Sequence, residues 1–139
     1  MVKYMLNAVV LFCLMGYLSA GEIPQEFKEV AGDIPKSCIA ETGVTVDLIE
    51  RARTGDLAED GNLKCYLKCI MVNLGMISEK GLNFEKMIEM VQADMKDLAK
   101  QLSTTCKDIK PNAEGDQCQL AFDFMKCFYK GFPNDFFVL

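Results

Sequence analysis

Cysteines are the residues of this 139-residue chain whose type and spacing can do chemistry, and there are seven of them. From position 38 onward six follow one another with 26, 3, 36, 11 and 8 residues between them, at Cys38, Cys65, Cys69, Cys106, Cys118 and Cys127. A zinc site would need paired C-x-x-C arms and usually histidine, and the chain has neither. We therefore expect no metal site, and we expect the six cysteines to be oxidised to disulfide bonds in an exported chain.

The chain contains no histidine, which excludes several functions. Ser-His-Asp and Cys-His catalysis and an imidazole pH switch are all ruled out. Secreted lipases and phospholipases rely on histidine, so we expect no enzymatic activity and no cofactor. The formal charge of −5 does not suit a nucleic-acid-binding protein, which needs a basic patch to displace counterions from phosphate.

Residues 1–20 are typical of a secretory signal peptide. Lys3 is followed by an apolar run that ends in the small residues Ser19 and Ala20. The alternative, a membrane anchor, would need about twenty apolar residues, and the run falls short of that. Cys13 would be removed with the signal, which leaves an even number of cysteines. We expect a secreted, extracellular protein whose residues 21–139 form one ligand-binding helical domain.

The helical spacing of the cysteines limits which pairs can form. Cys65 and Cys69 lie four residues apart and share a helical face, so each should reach another element. Cys118 and Cys127 are separated by about 13.5 Å of helical rise and lie on opposite faces, which is too far for a mutual bond. Removing the pairings that contain either bond leaves ten of the fifteen possible ones, and spacing alone does not choose among these.

The complete pattern resembles the pheromone and general odorant-binding proteins of insects. Their hallmark is six cysteines with three residues between the second and third and eight between the fifth and sixth, and this chain has both gaps. The resemblance implies bonds from the first to the third, the second to the fifth and the fourth to the sixth cysteine. In this sequence those pairs are Cys38–Cys69, Cys65–Cys118 and Cys106–Cys127.

The elements that carry the cysteines are predicted to be helices, because no alternating β-branched pattern occurs. The predicted helices span about 24–42, broken near Asp33–Pro35, then 45–53, 63–76, 83–91, 94–108 and 116–131. Thr45 and Asn83 are suitable N-caps, and Asp116 with Gln119 resembles a capping box. Residues 78–81 should form a turn. With the resemblance, this predicts an all-α fold of six helices and three disulfides around an internal apolar cavity.

Three disulfides are more than a domain of this size needs, which suggests that they offset a hollow interior. The chain-entropy argument gives at most about 11 kcal/mol for the three bonds together, and a cavity of roughly 300 Å³ would cost on the order of 7 kcal/mol. Flexible or aromatic side chains suit such an interior. The candidates are Met71, Met76, Met87, Met90, Met95, Phe122, Phe124, Met125, Phe128, Phe136, Phe137 and Val138. An ordinary packed core would show the same periodicity.

The resemblance also implies which residues bind a ligand. Mapped onto this sequence, the implied ligand-binding residues are Ile34, Met71, Met76, Ile77, Leu82, Met90, Phe124, Phe128, Phe136, Phe137 and Val138. A polar residue that orients the ligand is expected as well, and the options are Asn73, Ser78, Thr104 and Tyr129. We expect the tail after Pro133 to act as a lid. With histidine absent, any pH response would fall to a carboxylate, for which we choose Asp135.

The function implied by the resemblance is that of an extracellular carrier of small hydrophobic odorants or pheromones in olfaction. Its partners would be a small hydrophobic ligand and membrane odorant receptors, with no nucleic acid, and the protein would be a monomer or a weak homodimer. Two alternatives stay open. One is a secreted carrier of lipophilic ligands outside olfaction, and the other is a secreted helical signalling or defence protein.

Overall fold

The structure, a computed structural model, describes residues 22–112 and 114–139, and the predicted signal peptide lies outside these residues. The described part contains seven α-helices: α1 Gln25–Ala31, α2 Ile34–Thr42, α3 Val46–Arg53, α4 Gly61–Asn73, α5 Phe84–Met90, α6 Lys96–Thr105 and α7 Gln117–Gly131. A 3₁₀ turn, Ala93–Met95, leads into α6. Two antiparallel strands of two residues each, β1 Ile77–Ser78 and β2 Gly81–Leu82, flank the predicted turn.

The helix starts follow the predicted caps. The side chains of Thr45 and Asn83 accept hydrogen bonds from main-chain N–H groups three residues on, at 3.3 and 3.0 Å. Asp60 does the same for Leu63 at 2.9 Å. The predicted break near residue 33 is present, since α1 ends at Ala31 and α2 begins at Ile34. Counting α1 and α2 as one broken helix gives the six helices of the prediction.

Two helices differ from their predicted bounds. Helix α4 ends at Asn73 rather than near residue 76, because Gly75 turns the chain with a φ of +74°. The helix predicted over 94–108 starts as the 3₁₀ turn and ends at Thr105. The ladder between β1 and β2 was not predicted, because two residues per strand are too few for a sequence pattern.

The capping box predicted at the start of α7 is only half formed. The carboxylate of Asp116 accepts hydrogen bonds from the N–H groups of Cys118 and Gln119, at 2.9 and 3.1 Å. The reciprocal bond is missing because Gln119 Oε1, which would accept it, accepts from Lys64 Nζ at 2.9 Å instead. The side chain of Asn112 accepts from the Asp116 N–H in its place, at 3.0 Å.

Helix α4 lies at the centre of the molecule and packs mainly on α7 and α2. The three disulfides are those that the resemblance implies, which confirms the pairing. Cys38–Cys69 joins α2 to α4, Cys65–Cys118 joins α4 to α7, and Cys106–Cys127 joins the end of α6 to α7. Two of the three bonds thus tie α4 to other helices, and the third ties α6 to α7.

Within residues 22–112 and 114–139, no helix is both long enough and apolar enough to cross a membrane.

Candidate functional site

An apolar pocket lies beside α4 and α7, and six parts of the chain form its wall. On α4 and on α6 the lining residues recur at intervals of three and four, as expected when one face of each helix points towards the pocket. From α4 and the residue after it these are Leu67, Ile70, Met71 and Leu74. From the 3₁₀ turn and α6 they are Met95, Leu98, Ala99 and Leu102. The cysteines of α4 lie elsewhere on the helix and are engaged in disulfides.

The other walls come from α5, α7 and the two outer segments of the domain. Helix α7 contributes Phe124, Met125 and Phe128. Helix α5 and the residue after it contribute Met87, Met90 and Val91, and Met76 lies in the segment between α4 and β1. The remaining wall combines Phe27 of α1 with Phe137, Val138 and Leu139 of the tail. The rings of Phe27 and Phe137 touch, with centroids 4.8 Å apart, so α1 and the tail meet over the pocket.

The pocket has a volume of about 90 Å³, counted as the space that the centre of a water molecule can occupy. A water molecule needs roughly 10–15 Å³ of such space, so the pocket has room for on the order of six to nine water-sized groups. At the penalty found for core truncations, this volume costs about 2 kcal/mol. That is less than the roughly 7 kcal/mol expected from the sequence, and less than the 3 to 4 kcal/mol that chain entropy assigns to one disulfide.

Two hydrogen bonds from side chains hold the tail in the wall. The Tyr66 hydroxyl donates to the main-chain oxygen of Leu139 at 2.6 Å, and Arg53 Nε donates to that of Val138 at 3.1 Å. Burial raises the pKa of Tyr66 to about 12, and the nearby charge of Arg53 partly opposes this rise. The phenol therefore stays protonated and remains a donor at physiological pH.

Seven of the eleven residues predicted to bind a ligand line the pocket. They are Met71, Met76, Met90, Phe124, Phe128, Phe137 and Val138. The other four lie outside the lining. Ile34 is half-buried on α2, and Ile77 and Leu82 belong to the short ladder. Phe136 of the tail packs against the rings of Phe128 and Tyr129.

Twelve lining residues were not among the eleven. Three of them, Met87, Met95 and Met125, belong to the wider set of flexible side chains that the composition suggested. The others are Phe27, Leu67, Ile70, Leu74, Val91, Leu98, Ala99, Leu102 and Leu139. The repeat of apolar residues in α4 and α6 was visible in the sequence, but a packed core gives the same repeat. Phe122 of the wider set is fully buried outside the lining, with the Lys64 and Lys126 ammonium groups 4.9 and 4.8 Å from its ring centroid.

None of the four polar residues considered for orienting a ligand lines the pocket. Asn73 donates to the main-chain oxygen of Cys69 at 2.8 Å, and Thr104 donates to that of Lys100 at 3.2 Å. Ser78 is exposed in the turn, and Tyr129 is 38% exposed. Asp135, chosen for a pH response, is exposed as well.

Comparisons with known proteins point in one direction. The model of the PBP/GOBP family matches residues 20–131. General odorant-binding protein 19d of Drosophila melanogaster is 31% identical over 129 residues, which cover 88% of this chain and 84% of that protein. Odorant binding protein 5 of Apis mellifera has a similar fold, with a TM-score of 0.73 at 24% identity, over 86% of this chain and 99% of that one.

A third similar protein was solved with a bound small molecule. Odorant binding protein 7 from Anopheles gambiae, in complex with an azo compound, has a TM-score of 0.69 at 22% identity, over 81% of this chain and 90% of that one.

Proposed function

Because this chain belongs to the PBP/GOBP family, we propose that it takes up a small hydrophobic ligand in the apolar pocket, outside the cell, and delivers it to membrane odorant receptors. The family and the relatives are odorant-binding carriers rather than enzymes. The observation that carries the proposal is the pocket, whose wall is made of nineteen apolar residues. Such a lining suits ligands that leave water because of their apolar surface.

The size of the pocket supports a carrier of modest affinity. Filling its roughly six to nine water-sized positions with methylene groups, at about 0.8 kcal/mol each, yields roughly 5–7 kcal/mol before the cost of association is subtracted. Because 1 μM corresponds to about 8.2 kcal/mol of net binding free energy, the dissociation constant should be no tighter than micromolar. The six methionines of the wall are unbranched and can adjust to guests of different shape.

Dye binding tests whether the pocket is the site. An apolar fluorescent dye should load into the refolded, oxidised domain and be displaced by volatile apolar compounds. The variant Ala99→Phe places a ring inside the pocket and should weaken dye binding at least about tenfold. The control Ala93→Phe adds the same ring at an exposed position of the 3₁₀ turn and should bind the dye like the wild type. Equal binding by both variants would place the ligand elsewhere.

Export and delivery need separate tests. The three disulfides favour an oxidising compartment, which supports secretion. Mass spectrometry of protein secreted by insect cells should find a mature chain that begins at Gly21 or Glu22. For delivery, cells that express an odorant receptor should respond to less total ligand when the wild-type protein is present. They should gain nothing from Ala99→Phe, and an equal gain from both proteins would exclude delivery through the pocket.

A further inference from the structure

The pocket wall offers a ligand no polar side chain. Its nineteen residues comprise six Met, four Phe, five Leu, two Val, one Ile and one Ala. The thioether sulfur of methionine, the most polar group among these side chains, is only a weak hydrogen-bond acceptor. The main chain adds little, because the pocket surface is almost wholly apolar. Moreover, apart from Tyr66, no residue with a polar or charged side chain is buried in the described ranges 22–112 and 114–139.

Two donors that contact the tail beside the wall are already engaged. The Tyr66 hydroxyl donates to Leu139 and the Arg53 Nε donates to Val138, and both bonds go to the main chain of the tail. A ligand that recruited either donor would leave a main-chain oxygen of the tail without its partner, at a cost that offsets the gain.

We propose that this pocket selects ligands without hydrogen-bonding groups, namely aliphatic, terpenoid or aromatic hydrocarbons, and discriminates against alcohols and acids of the same carbon skeleton. This inference rests on the proposed carrier function. Its physical reason is that a hydroxyl transferred from water into this wall loses its hydrogen bonds and finds no replacement. A carboxylate would lose still more, because a charge costs more to desolvate than a neutral group.

The wall also favours unsaturated guests over saturated ones. Methionine sulfur is polarizable and makes favourable contacts with π-systems. The rings of Phe124, Phe128 and Phe137 follow one another along one side, with centroids 6.5 and 5.9 Å apart, so an unsaturated guest meets aromatic faces or edges as well. Terpene and aromatic hydrocarbons fit these contacts best.

A matched pair of terpenes tests the inference. Limonene and its hydrated alcohol α-terpineol share a carbon skeleton and differ mainly by the elements of water. Dissociation constants are measured by displacement of the apolar dye from the oxidised wild-type domain. Limonene should bind more tightly by about 5-fold to 150-fold, which corresponds to the cost of burying one unpaired hydroxyl.

Adding a hydroxyl to the wall should reduce this preference. In Val91→Thr a side chain of the lining gains a partner for the alcohol, so the ratio of the two constants should move towards one. Val44 is buried to a similar degree, with 4% of it exposed against 8% of Val91, but it lies outside the lining. Val44→Thr is therefore the control and should keep the wild-type ratio. If Val91→Thr does not fold, Ala99→Ser places a hydroxyl in the same wall.

The possible outcomes separate the two proposals. Tighter binding of limonene, with a smaller ratio only in the variant of the wall, supports the inference. Equal or tighter binding of α-terpineol by the wild type overturns it and leaves a carrier with different selectivity. A ratio that falls equally in the variant and in Val44→Thr also overturns it, because the preference would not come from the pocket. If the dye does not load at all, the carrier function itself fails and the inference fails with it.

Discussion

Replacing Tyr66 by phenylalanine tests how the tail is fixed over the pocket. The Tyr66 side chain is 1% exposed, and its hydroxyl donates to the main-chain oxygen of Leu139, 73 residues further along the chain. Phenylalanine keeps the ring but removes the donor, so the buried oxygen of Leu139 is left without this partner. An unpaired buried acceptor costs about 1–3 kcal/mol. We expect the free energy of unfolding to fall by about 1–2 kcal/mol and Tm to fall by about 4–8 °C.

The same substitution should remove one step from the alkaline pH dependence of stability. Burial raises the pKa of Tyr66 from 10.0 to about 12 in the folded protein. Between these two values the unfolded chain has lost the phenolic proton while the folded chain retains it. The contribution to stability is therefore complete below pH 10 and disappears as the pH rises through about 12. Tyr66→Phe should lack this loss, so its stability should approach that of the wild type in strong alkali.

Two measurements check this reasoning. Urea denaturation gives the unfolding free energies, and the near-ultraviolet absorbance of phenolate follows ionisation of the tyrosine in rapid pH jumps. Tyr129→Phe is the control, because that ring is 38% exposed and its change should cost less than about 0.5 kcal/mol. The reasoning is refuted if Tyr66→Phe is as stable as the wild type, or if Tyr66 ionises near its ordinary pKa of 10.0.

Three further changes should have separable effects. In urea titrations, Gly55→Ala should lower the free energy of unfolding by about 1 kcal/mol more than Gly43→Ala does. Both glycines have positive φ, but only at Gly55 would a Cβ collide with the Tyr129 ring. Equal losses in the two variants would contradict this. Mild peroxide treatment should weaken dye binding, because oxidation of methionine to the sulfoxide makes the pocket wall polar. Replacing the half-buried Met76, Met90 and Met95 by leucine should largely prevent this loss of dye binding. An equal loss in that variant would show that the oxidation-sensitive groups lie elsewhere. The double variant Cys106→Ala/Cys127→Ala should lose about 3 kcal/mol in urea, since this bond spans 21 residues, and stability unchanged from the wild type would contradict the chain-entropy argument.

The helical fold could be predicted because its signals are local. Capping residues such as Thr45 and Asn83 act within one turn of helix, so the sequence places their helices within a residue or two. The reciprocal half of the capping box failed for a different reason. The Gln119 side chain accepts from Lys64 at 2.9 Å and donates to Asp123, and the first of these partners is 55 residues away in the sequence. Only the tertiary structure decides that competition.

The residues of the pocket could be predicted only in part, because the resemblance implies some of them and apolar periodicity does not separate the others from an ordinary core. The resemblance located the walls from α5, α7 and the tail, and it found residues such as Met90 and Phe128. It missed the face of α6, where Leu98, Ala99 and Leu102 repeat like any buried helix face. Whether such a face meets a void or another side chain depends on how the helices pack, and periodicity contains no information about that.

The contact between α1 and the tail bears on how a ligand could enter and leave the pocket. Each disulfide closes a loop within positions 38–127, whereas Phe27 and Phe137 lie outside these loops and form a seam across the pocket, with ring centroids 4.8 Å apart. Parting this seam disturbs hydrophobic contacts and the two hydrogen bonds of the tail, but it displaces no crosslinked helix. In the proposed carrier, opening of the seam would therefore let a ligand pass while the crosslinked helices keep their arrangement.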